Sequence, residues 1–213
     1  MDKLEVTPNT KITRLPKRGT YDKEVIFGIL DEALFLDLAF VRNDKPFLIP
    51  TGHCRIGEYI YIHGSVGSGY MRHLESSSCD VCLSATLADG LVLARSAFHH
   101  SMNYRSVVVF STPEVVSDER EKYLALEAFT EKVQPGRWND VRKPDAREWK
   151  ATMVLKFKID EASAKIRNGG PKDDDADYAL PVWAGVVPLK VERKTAIADE
   201  LLTPGIPLPS YLK

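Results

Sequence analysis

Apolar positions in this 213-residue chain recur mostly at a spacing of two, in short runs broken by turn-forming residues. Between residues 34 and 63 three such runs follow one another: LFLDLAFV, FLIPTGHC and EYIYIHG. Arg42-Asn43-Asp44-Lys45-Pro46 separates the first two and a turn at Gly57 the second two, which predicts a β-meander. Further strands are predicted around residues 79–87, 91–98 and 105–116, rich in Val, Leu and Phe. The clearest strand is 151–160. There Met153, Leu155, Phe157 and Ile159 alternate with Val154, Lys156 and Lys158, giving one buried and one mostly wet face. Residues 164–167 supply its neighbour.

Helical spacing is rarer. Asp22 is a plausible N-cap for a helix whose Val25, Ile26, Ile29, Leu30 and Ala33 share one face. A second helix is predicted over 118–133, with Asp118 and Glu121 approximating a capping box and Leu126, Phe129 and Val133 as its stripe. Pro135-Gly136 ends it, and a short helix is predicted over 70–75. Without regular strand–helix alternation a doubly wound sheet is disfavoured. The pattern predicts a mainly β fold with peripheral helices, a closed or split antiparallel β-barrel. Residues 1–19 read as an extended arm, 20–190 as the domain and 191–213 as a tail too proline-rich for a central strand or helix.

Composition narrows the function classes. With 29 basic and 30 acidic residues the net charge is −1, so no global field draws the chain to nucleic acid or lipid. No apolar run approaches the roughly 18 residues of a membrane span. The first 19 residues lack the apolar core of a secretory signal, so a cytoplasmic location is expected. Cys54, Cys79 and Cys82 are an odd, sparse set, expected to be buried and unpaired. In a strand, Cys79 and Cys82 point to opposite faces, which argues against a shared metal. Asp173-Asp174-Asp175 is expected to face solvent, and no metal site is predicted.

Candidate chemistry gathers in two places. Residues 89–110, DGLVLARSAFHHSMNYRSVVVF, read as two buried strands joined by a loop carrying His99, His100, Asn103, Tyr104 and Arg105. These can donate, accept, stack and neutralise an anion, and loops on rigid scaffolds tend to carry function. Adjacent in extended chain, the two histidines would face opposite ways. The second place is Gly64-Ser65-Val66-Gly67-Ser68-Gly69, between a strand and a helix start. Its glycines and hydroxyls suit close approach to a phosphate, although no Gly-Lys-Ser/Thr of a P-loop follows.

Together these segments resemble the pyridoxamine 5′-phosphate oxidase-related flavin-nucleotide-binding proteins. The likeness rests on RLPKRGTYD at 14–22, ILDEA at 29–33, YIHGS at 61–65, the 89–110 block, PGRW at 135–138, DEASAKIRNGGP at 160–171 and YALPVWAGVVPL at 178–189. It implies a split β-barrel with FMN bound at the interface of a homodimer. Residue by residue, it places His63, Gly64, Ser65, Ser68 and Arg72 near the phosphate, and Pro50, Thr51 and His53 near the flavin ring. Arg95, Ser96, Tyr104, Arg105 and Trp183 are implied contacts to cofactor or partner chain. His53 and His100 are the candidate catalytic donors.

The family commonly has an arginine after the second serine of the loop. Gly69 stands there in this chain, so Arg72, Arg95 or Arg105 must compensate or flavin affinity is low. The implied activity is an FMN-dependent oxidoreductase acting on a small molecule, with neither nucleic acid nor membrane as partner. Alternatives are a non-catalytic flavin module for storage or sensing and a haem-handling split barrel.

Overall fold

A computed structural model describes residues 2–76 and 78–212. The first half of the chain contributes β1 (Gly19–Thr20), α1 (Lys23–Glu32), β2 (Phe35–Arg42), β3 (Lys45–Gly52), β4 (Cys54–Ile56), β5 (Tyr59–Ser65) and α2 (Gly69–Ser76). The second half contributes β6 (Val81–Leu93), β7 (Ser101–Ser111), β8 (Glu114–Val115), α3 (Glu119–Val133), α4 (Arg137–Asp140), α5 (Ala146–Ala151), β9 (Thr152–Lys158), β10 (Glu161–Arg167) and β11 (Gly185–Pro188).

Every pairing between these strands is antiparallel. They form two sheets, one ordered β1-β10-β7-β6-β2-β3 with β11 also on β6, the other β4-β5-β9-β8. This is the split barrel the apolar pattern predicts. Its core lies between the sheets, where Leu38, Ile60, Ile62, Leu83, Val109, Leu155 and Phe157 are buried. Helix α1 closes one side through Ile26, Ile29 and Leu30. Its N-cap is Asp22, whose carboxylate accepts from the Glu24 N–H at 3.0 Å. Asp118 caps α3 in the same way, accepting from the Glu121 N–H at 2.7 Å.

Three expectations need correction. The strands placed at 79–87 and 91–98 are one strand, β6, because Asp89-Gly90 forms a bulge in the pairing with β7 and not a turn. Such a bulge re-aims a side chain without ending the strand, and Asp89 turns to Arg105 at 2.8 Å. Asn103, Tyr104 and Arg105 consequently lie in β7, outside the connecting loop. Cys79 is exposed and Cys82 half-buried; of the three cysteines only Cys54 is buried.

Both chain ends pack on the domain. Leu4 is buried and donates its N–H to the Tyr21 carbonyl at 2.9 Å. At the other end, Tyr211 covers Gly136, whose φ of +84° suits glycine. Its carbonyl accepts from Gln134 at 3.1 Å, and its hydroxyl donates to Asp140 at 2.6 Å. No helix among the described residues is long and apolar enough to cross a membrane. Phe157 is fully buried between the sheets, so Phe157→Ala is expected to cost about 3–5 kcal/mol in urea denaturation.

Candidate functional site

Strand β3 ends at Gly52 in the large sheet and β4 begins at Cys54 in the small one, so the chain crosses between sheets at His53. His53 is 1% exposed, with Nε2 2.8 Å from the Leu30 carbonyl at the end of α1. From α3, Lys132 donates to that carbonyl at 2.7 Å and stands 3.0 Å from His53 Nε2. Burial first, and the Lys132 charge second, push the His53 pKa down to about 4. Burial likewise lowers Lys132 to about 8. The imidazole is therefore neutral at pH 7.

These residues line an open groove of about 1160 Å³ between the crossing, α3 and the C-terminal tail. Phe35, Phe129 and Leu208 give it apolar walls, and Lys132, Arg137 and Arg193 give it positive charge. Arg137 donates to the Tyr211 hydroxyl at 3.1 Å, and Arg193 to Gln134 Oε1 and the Val133 carbonyl. No acidic residue is among those described as lining the groove.

The glycine-serine loop joins β5 to α2, as the sequence predicts. Ser65 Oγ accepts from the Gly67 N–H at 3.1 Å, which shapes the loop. Arg72 is spent on that shape too, with Nε 2.7 Å from the Val66 carbonyl. A Cβ on Gly64 would stand 3.0 Å from Met71, so glycine lets α2 close onto the strand. His63 packs edge-on to Phe129 at 4.4 Å, and burial lowers its pKa. Pro50 and Thr51 pair with Asp37 and Leu36 further along the same strand pair.

The remaining predicted residues lie around the far end of β6. There the chain turns through a 3-10 segment, Ala97–His99, so His99 is not in extended chain while His100 just follows the turn. His100 Nδ1 lies 2.9 Å from the Ser96 carbonyl, and His99 Nε2 3.4 Å from Asp174. No contact among the described residues joins His53 to His100. Arg95 holds Asp173 through its backbone N–H and its guanidinium, both at 2.9 Å.

The Asp173 side chain is fully covered, which corrects the expectation that the whole acidic run faces solvent. Burial opposes ionisation of its carboxyl, but the Arg95 hydrogen bonds outweigh that and lower its pKa. Arg105 is gripped by Glu32 and Asp89, and both pairings raise its pKa. Trp183 is 67% exposed, just before β11. Sequence reasoning missed Lys132, Arg137 and Arg193; Lys132 sits inside the α3 stripe, and Arg137 inside the PGRW motif.

The model of the family described as pyridoxamine 5′-phosphate oxidase matches residues 22–166. The chain belongs to that family. The flavocytochrome Anf3 of Azotobacter vinelandii is 37% identical, over 97% of this chain and 95% of that one, with a TM-score of 0.90. An FAD and haem binding protein of Mycobacterium smegmatis is 35% identical over 91% and 95%, with a TM-score of 0.86. A candidate 5-nitroimidazole antibiotic resistance protein of Bacteroides thetaiotaomicron shares the fold at 19% identity, over 70% and 86%, with a TM-score of 0.59. No match was found among curated proteins.

The His53 pKa makes a stability prediction. Between pH 6.5 and about 4 the unfolded chain takes up a proton that native His53 refuses. Stability is therefore full above pH 6.5 and falls toward pH 4, by on the order of 3 kcal/mol from this residue. Urea denaturation at pH 7 and pH 4.5 should show a smaller drop for His53→Gln than for the wild type.

Proposed function

We propose that this chain binds a flavin and a haem and works as a redox protein between a small-molecule donor and an acceptor. The observation that carries the reading is the pair of relatives described as a flavocytochrome and as an FAD and haem binding protein. The family model ends at residue 166, whereas 97% coverage takes in most of the tail that walls the groove. The Bacteroides protein matches over only 70%.

The residues present fit both groups. Apolar walls, with cations and no carboxylate, match a flat apolar macrocycle bearing carboxylate arms. Phe35, Phe129 and Leu208 would hold its faces, and Arg137 and Arg193 its acids. At the other end of β3 the glycine-serine loop offers Ser65 and Ser68 to a flavin phosphate, with Pro50 and Thr51 between loop and groove. When bound, a flavin exchanges electron pairs with organic molecules and a haem iron exchanges single electrons. His53, neutral at pH 7, serves there as a hydrogen-bonding group and not as a cation.

The Mycobacterium relative favours FAD over the FMN that the sequence resemblance implies. A homodimer is part of the reading: Phe98, Met102, Tyr178 and Trp183 are all more than half exposed near the end of β6, where a second copy would cover them.

The test is the visible spectrum of protein purified from haem-supplied cells, with released chromophores identified by mass. Soret and flavin bands with FAD released support the proposal; FMN released instead restores the sequence expectation. Colourless protein that takes up neither added group overturns it. Arg137→Ala with Arg193→Ala should weaken haem retention about tenfold or more while flavin stays bound. Light scattering should give twice the 23.9 kDa chain mass.

A further inference from the structure

The loop that would receive the flavin phosphate lacks the arginine common in the family, because Gly69 occupies its place. Two of the three arginines expected to compensate are neutralised, Arg95 by Asp173 and Arg105 by Glu32 and Asp89. Arg72 keeps its charge, but its Nε is held by the Val66 carbonyl. A second cation stands at the gap. Arg42, the last residue of β2, brings Nη1 to 3.7 Å from where a Cβ on Gly69 would be.

Its position follows from local structure. Asn43 and Asp44 both take positive φ, 53° and 57°, and make the tight turn that pairs Arg42 with Lys45. The guanidinium lies over the Phe47 ring, 4.6 Å from its centroid, and Phe47 in turn stacks on Phe40. Among the described residues Arg42 makes no ion pair. It is thus a half-buried cation, held by an aromatic face and directed at an anion-suited loop, with its charge unspent.

We infer that Arg42 supplies from β2 the phosphate-binding cation that the loop itself has lost at Gly69. The inference rests on the flavin reading above. It also accounts for the glycine. A Cβ at 69 would make only ordinary contact with Arg42, but an arginine there would set two guanidinium groups against each other beside one phosphate.

The experiment is titration of flavin-stripped protein with FAD, FMN and riboflavin, followed by flavin fluorescence. Arg42→Ala is expected to weaken FAD and FMN about tenfold or more, the loss of one charge-assisted hydrogen bond. Riboflavin, which has no phosphate, should bind the variant as it binds the wild type. Adding Gly69→Arg to Arg42→Ala should restore phosphate-dependent affinity, and circular dichroism verifies that each variant is folded.

Unchanged FAD and FMN affinity in Arg42→Ala overturns the inference and leaves flavin binding standing. Equal losses for all three ligands also overturn it, since they mark a structural role. A wild-type protein that binds none of the three overturns the flavin reading and this inference together.

Discussion

The crossing of the chain from one sheet to the other at His53 is the constraint on which the rest of the molecule depends. A strand that changes sheets must bury the residue between, and here that residue is polar. A buried imidazole without partners would cost several kcal/mol. The Leu30 carbonyl and Lys132 both meet its Nε2, while the buried Nδ1 has no partner among the described residues, and this fixes the end of α1 and the last turn of α3 against the same point. Gly52 permits the approach, since a Cβ there would stand 2.9 Å from the Phe129 ring. The groove is the space that remains once α3 is pinned there and the tail returns over Gly136.

Charge is arranged around this frame in a way the near-zero net charge hides. Arg95 and Arg105 are internal ties that join β6 to the loop carrying Asp173, and β7 to the end of α1. Among the described residues Arg42, Arg72, Arg137 and Arg193 make no ion pair. The first set holds the fold together. The second set is available to anions: Arg42 and Arg72 stand by the glycine-serine loop, and Arg137 and Arg193 line the groove.

Much of the fold was legible because period-2 alternation and turn residues are local signals. The capping aspartates Asp22 and Asp118 and the strand at 151–160 read correctly for that reason; the meander over residues 34–63 did not, because the run FLIPTGHC divides at His53 into β3 and β4 of different sheets. The error at β6 has a physical cause: Asp89-Gly90 is turn chemistry by composition, yet long pairing with β7 on both sides carries the strand through it. The site was legible only in part. The glycine-serine loop declares itself by spacing, whereas Arg42 and Lys132 become functional candidates only when distant elements meet. Arg95 and Arg105 looked like ligand contacts because their partners, Asp173 and Glu32, are 78 and 73 residues away.

In the proposed function the sheet crossing sets a haem groove next to a flavin site within one chain. Anaerobic photoreduction of the flavin in doubly loaded protein, followed at the Soret band, tests it most directly. Adjacent groups predict that the haem is reduced within milliseconds, at a rate independent of protein concentration. A Soret band that stays oxidised, or that changes only as fast as molecules collide, would contradict it.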